Sequence, residues 1–118
     1  SGDGPEAVVI TDTALCIQSF NDAAEVLWGW RADDVVGRTV TDVLPWAREG
    51  QTLDEARAVF QRSGRWRGEV VQRRRDGTPV RVHAVVTLLR GEGGDPVGTV
   101  SVVREVREDP DRDGPPSG

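Results

Sequence analysis

Between residues 80 and 89, positions alternate with a period of two. Val80, Val82, Ala84, Val86 and Leu88 form a wholly apolar set, and Arg81, His83, Val85, Thr87 and Leu89 a mixed one. Successive strand side chains point to opposite faces, so the pattern predicts a strand over 79–89 with the first set turned to a core. Two more β segments flank it, at 66–74 and 97–106, and Asp76-Gly77 between the first two reads as a two-residue hairpin turn. Upstream, the β-branched run at 7–12 and the segment at 15–20, joined by a tight turn, predict two further strands.

At Asn21-Asp22 the period changes from two to that of a helix. Either residue can cap a helix start, Glu25 stands at capping-box spacing from Asp22, and Gly29 suits a left-handed C-terminal position. This predicts a short helix over Asp22–Trp28, followed by another over 32–36 closed by Gly37 and a turn near Val40–Val43 stopped by Pro45. Thr52 and Glu55 repeat the capping spacing ahead of a fourth helix, which has Leu53, Ala56 and Phe60 on one face and ends at Ser63-Gly64. Two strands, several short helices and three strands predict an α+β domain: a five-stranded antiparallel sheet with helices on one face.

With 118 residues the chain is one domain by length. Residues 1–6 read as a flank and 7–107 as the domain. Residues 108–118, charged and rich in Pro and Gly, read as a linker or disordered tail. The net charge of −5 opposes attraction to phosphate backbones, and Arg73-Arg74-Arg75 would alternate across a strand rather than form one basic surface, so no nucleic-acid partner is expected. No apolar run reaches the length of a membrane span, so no membrane partner is expected either. The lone cysteine, Cys16, excludes an intrachain disulfide and fits a reducing cytoplasm. All 15 basic residues are arginine, which reads as high-GC bacterial coding.

Several motifs in fixed order resemble the PAS sensor domains. They are the strand ending at Asp12; FNDAAEVLWGW with Asn21, Ala23-Ala24-Glu25, Leu27 and Gly29; VVGR at 35–38 with Asp42 and Pro45; GRWRGEVVQRRRDGTPVRV with Trp66, Gly68, Glu69, Arg74, Asp76 and Gly77; and Gly98 followed by Val102-Val103-Arg104-Glu105-Val106. The resemblance implies a sensory or regulatory module of a bacterial signalling protein, with an output domain elsewhere in a longer chain and a homodimer as the expected assembly. The family often ends in Asp-Ile-Thr, linked to signal transfer; here Glu105-Val106-Arg107 stands in its place, keeping the carboxylate and losing the hydroxyl.

The resemblance also frames the chemistry. It makes Trp28 and Trp30 core residues, with Trp28 bordering a cavity, and puts Trp46 on a flexible helical rim. Flavin-binding relatives need a cysteine after the VVGR-like motif, where this chain has Thr39-Val40-Thr41-Asp42, and haem-binding relatives a histidine on the longer helix, whereas the only histidine, His83, falls on a strand. No cofactor is expected. With no cysteine or histidine cluster and no phosphate loop or catalytic set, neither a metal nor an enzymatic activity is expected. The module is expected either to relay signals through protein contacts alone or to bind a small apolar ligand in the sheet-helix cavity, held by Trp28, Trp46, Val70, Val82, Ala84, Val86, Val100 and Val102. The expected dimer face is Val85, Thr87, Leu89 and Val103, and Glu105 is the expected signal-transfer residue. A ligand-free dimerisation or scaffolding domain is the alternative.

Overall fold

The structure, a computed structural model, describes residues 6–44, 46–47 and 53–106, with side chains given at all of these except 46, 47, 53, 54, 56 and 57. The first strand, β1 (Ala7–Thr11), turns at Asp12 into β2 (Ile17–Phe20). The Asp12 carboxylate holds that turn by accepting from the backbone N–H groups of Ala14 (2.9 Å) and Cys16 (3.0 Å).

Three short helices follow: α1 (Asp22–Trp28), α2 (Ala32–Val35) and α3 (Val40–Val43). Asn21 caps α1 by accepting from the Ala24 N–H, and Gly29, left-handed at φ 78°, ends it. Asn21 also accepts from Val8 N–H and donates to the Glu6 carbonyl, fastening the helix start to β1. Glu25 does not close a capping box. Its Oε2 accepts from the Ala32 N–H at the first turn of α2.

The two-residue β3 (Trp46–Ala47) and helix α4 (Leu53–Ser63) lead into β4 (Arg65–Arg73), β5 (Pro79–Arg90) and β6 (Pro96–Glu105). The expected caps at Thr52 and stop at Pro45 lie outside the described residues. The sheet order is β2-β1-β6-β5-β4-β3, with every neighbouring pair antiparallel, so the five expected strands are joined by β3 at the β4 edge. Trp46, expected on a helical rim, instead pairs through its backbone with Gln72; its side chain is outside the described set. No described helix is long and apolar enough to cross a membrane.

Two details differ from the sequence reading. Arg73 pairs with Pro79, Arg74 N–H donates to the Thr78 carbonyl and Gly77 N–H to the Arg74 carbonyl, so the hairpin loop has three residues, 75–77, not two. Gly77 takes the left-handed position at φ 90°. In β6 the inward set is shifted by one residue. Ala84 lies opposite Val103 and Val85 opposite Val102, and cross-strand partners share a face, so Val103 joins the core while Val100 and Val102 turn outward. Exposure agrees: Val103 is 4% exposed, whereas Val100 and Val102 are half-buried.

The core lies between the helices and the inner sheet face, around Val9, Ile17, Trp28, Val35 and Val82, all essentially without solvent contact. Where β1 meets β6 the backbones approach so closely that a Cβ on Gly98 would collide with the Thr11 carbonyl.

Candidate functional site: an interior cavity

A cavity of about 170 Å³ lies between the sheet and the helices. On the sheet side its wall includes Val9 of β1, Val70 and Gln72 of β4, Ala84 and Val86 of β5, and Thr99, Ser101 and Val103 of β6. On the helix side it is lined by Trp28, Val40, Thr41, Leu44 and Phe60, and Leu15 and Trp66 also contribute. None of these described lining residues is ionisable.

Of the residues expected to face a ligand, Trp28, Val70, Ala84 and Val86 line the cavity. Val82 is wholly buried in the core without being part of the lining. Val100 and Val102 are on the other face, for the register reason above. Thr99 and Ser101 take their places, and with Gln72 they give the wall a hydrogen-bonding capacity that the sequence reading missed.

The polar groups are ordered. Trp28 Nε1 donates to Gln72 Oε1 over 3.0 Å, with both residues buried. Phe20 packs on the Trp28 ring, centroids 5.7 Å apart and planes tilted by 35°. Thr11 and Thr99 hydroxyls meet at 2.7 Å, and Thr11 Oγ1 also donates to the Asp12 carbonyl at 3.0 Å. A hydroxyl has one proton, so Thr99 is the donor to Thr11 and keeps lone pairs free.

Beneath the end of α1 the β4–β5 hairpin forms a clamp. Arg74 Nε donates to the Leu27 carbonyl (3.1 Å), Arg75 N–H to the Trp28 carbonyl (2.8 Å), and Arg74 Nη2 reaches Glu105 Oε2 at 3.5 Å. The end of β6 is thereby joined to the helix turn that carries Trp28. Trp30 does not line the cavity: the guanidinium groups of Arg38 and Arg75 lie over its ring, 5.4 and 5.5 Å from the centroid, and its buried Nε1 has no hydrogen-bond partner among the described residues. At the hairpin tip Asp76 accepts from the Thr78 N–H (2.9 Å) and hydroxyl (2.7 Å). The backbone bond above all, then the hydroxyl and the nearby Arg74 charge, hold its carboxyl below the ordinary 3.8.

The outer sheet face presents Val85, Thr87 and Leu89 of β5 with Val100 and Val102 of β6 and Val8 and Ile10 of β1, all half-buried. Val103, expected here, faces the core instead.

An antiparallel sheet with its first strand beside its last, a string of short helices over one face and an interior cavity match a known family: a model for the PAS fold covers residues 4–106. The chain belongs to the PAS family. The PAS domain is 30% identical over 108 residues to the sensor protein FixL of Bradyrhizobium diazoefficiens, covering 88% of this chain and 21% of that protein. It is 29% identical over 111 residues to the probable diguanylate cyclase DgcE of Escherichia coli, covering 87% of this chain and 10% of that one. The chain thus spans about a fifth and about a tenth of the length of these two relatives. Among solved structures, the light state of the blue-light photoreceptor Aureochrome1 LOV matches with TM-score 0.76 and 25% identity, covering 90% of this chain and 85% of that one. A PAS domain from Colwellia psychrerythraea matches with TM-score 0.75 and 24% identity, at 86% of each chain. The protein is a PAS sensory domain.

Proposed function

We propose that this PAS domain, residues 7–107 with 108–118 as a linker, is the input module of a longer bacterial signalling protein and reads a small, uncharged, mainly apolar molecule bound in its cavity. The observation carrying this reading is the cavity wall, apolar apart from a few neutral hydrogen-bonding groups and without a described ionisable side chain. A charged guest would lose its hydration there without compensation. Size sets the scale of the guest. About 170 Å³ is close to the ~150 Å³ of an apolar cavity that takes up benzene, and below the ~300–1,000 Å³ of sites for drug-sized molecules.

Occupancy is read through Trp28. A guest that shifts this ring moves the last turn of α1, whose carbonyls hold Arg74 and Arg75, and Arg74 holds Glu105 at the end of β6. The Arg74–Glu105 pair is half-buried and long at 3.5 Å, a weak contact that suits a joint that changes with state. A homodimer through the outer face is the second part of the reading, supported by the contiguous apolar strip across β1, β6 and β5.

Freshly purified protein is examined by native mass spectrometry and then titrated with uncharged monocyclic and short-chain apolar compounds, followed by tryptophan fluorescence and thermal melting. A guest at 100 times its Kd should stabilise the fold by about 2.7 kcal/mol. No co-purified mass, no saturable fluorescence change and no stabilisation together would refute the ligand reading and leave an interaction module.

A further inference from the structure

We infer that the molecule bound in this cavity carries a carbonyl-type hydrogen-bond acceptor, received by the side-chain N–H2 of Gln72. The inference rests on the cavity reading above and adds the chemical class of the guest.

The argument is an accounting of donors and acceptors. An indole Nε1–H only donates, so the atom of Gln72 that meets Trp28 at 3.0 Å is its carbonyl oxygen, and the amide orientation is fixed. The N–H2 group is then the free end. Gln72 is 8% exposed and lines the cavity, yet its amide nitrogen has no hydrogen-bond partner among the described residues. An occupant that displaces water from these two donors leaves them unbonded unless it brings an acceptor of its own.

A carbonyl answers this need without adding a donor of its own. An alcohol brings a further proton that needs an acceptor of its own, and a carboxylate brings an unpaired charge. The hydroxyls of β6 do not compete for the same atom. Ser101 stands opposite Val86 and Gln72 opposite Val80, six positions apart along β5, and Thr99 lies farther away still.

The test compares acetophenone with α-methylstyrene, which has the same outline with CH2 in place of the carbonyl oxygen, by calorimetric titration. In parallel, the assigned Gln72 side-chain N–H2 resonances of ¹⁵N-labelled protein are followed. Acetophenone should bind roughly threefold to tenfold more tightly, the gain of one neutral hydrogen bond. The Gln72 N–H2 signals should shift with acetophenone and hardly with α-methylstyrene, and Gln72→Met should bind the two alike. Equal affinity for the native protein, or unmoved N–H2 signals at saturation with acetophenone, would overturn the inference while leaving ligand binding intact. Binding of neither probe at millimolar concentration would overturn it together with the cavity reading. The resonance measurement uses the unaltered protein, so it decides even if Gln72→Met fails to fold.

Discussion

The Trp28–Gln72 bond makes a prediction whose sign depends on the two residues acting together. Trp28 is 1% exposed and Gln72 8%, and their side chains meet at 3.0 Å. Trp28→Phe removes the donor and leaves the Gln72 carbonyl without its partner, a cost of about 1–3 kcal/mol, to which the lost ring volume adds part of the cavity cost seen in large-to-small substitutions. Gln72→Met keeps the length of the side chain and leaves the indole N–H unbonded, again about 1–3 kcal/mol. Combining the two removes one hydrogen bond and leaves no orphan, so the double variant should be more stable than the sum of the singles by about 1–2 kcal/mol. Urea unfolding followed by far-ultraviolet circular dichroism gives the four free energies. At this chain length 1 kcal/mol corresponds to a shift of roughly 4–8 °C in Tm, so melting is an independent check. Additivity within about 0.3 kcal/mol would refute the reasoning, because it would mean that the two groups are each satisfied by water or by other partners.

Three further outcomes are expected. Gly98→Ala should cost about 1–3 kcal/mol through the collision of its Cβ with the Thr11 carbonyl, and an unchanged urea midpoint would show that β1 and β6 do not approach as described. The Asp76 carboxyl, held low first by the Thr78 N–H and then by its hydroxyl, gives the hairpin stability that is complete above the ordinary carboxylate pKa and lost as pH falls through the lowered value. The stability gap between the native protein and Asp76→Ala should therefore close below about pH 4, and a gap that persists at pH 2 would contradict this. Val102→Glu, on the outer strip, should give a monomer at concentrations where the native domain sediments as a dimer, whereas a monomeric native domain would reject the outer-face dimer.

Most of the fold could be read from the chain because its signals are local. Helix α1 begins at an Asn cap and ends at a left-handed Gly, so Asp22–Trp28 was bounded by the conformational needs of two residues. Strand β5 alternates so regularly that Val80, Val82 and Ala84 had only one face to take, and all three are buried. The two-residue β3 was not legible, since its pairing with β4 is made by backbone groups and owes nothing to a periodic side-chain pattern.

The cavity was only half legible, and the reason lies in β6. Its two outward valines, Val100 and Val102, alternate with Thr99 and Ser101, and hydrophobicity alone turns the valines inward. The register turns them out, because a strand at the centre of the sheet has two faces to satisfy and the outer face of this sheet is itself apolar at Val8, Ile10 and Val85. Hydroxyls can then point inward at little cost. Thr99 bonds Thr11 across the strand pair, and Ser101 stands at a cavity rather than in a packed wall. Gln72 escaped notice similarly: a lone amide in an arginine-rich strand end reads as solvated until Trp28, 44 positions earlier, arrives to bond its oxygen. Polar residues at inward positions are therefore the part of this site that the chain's periodicity hides, and they are also the part able to distinguish one neutral guest from another of the same size.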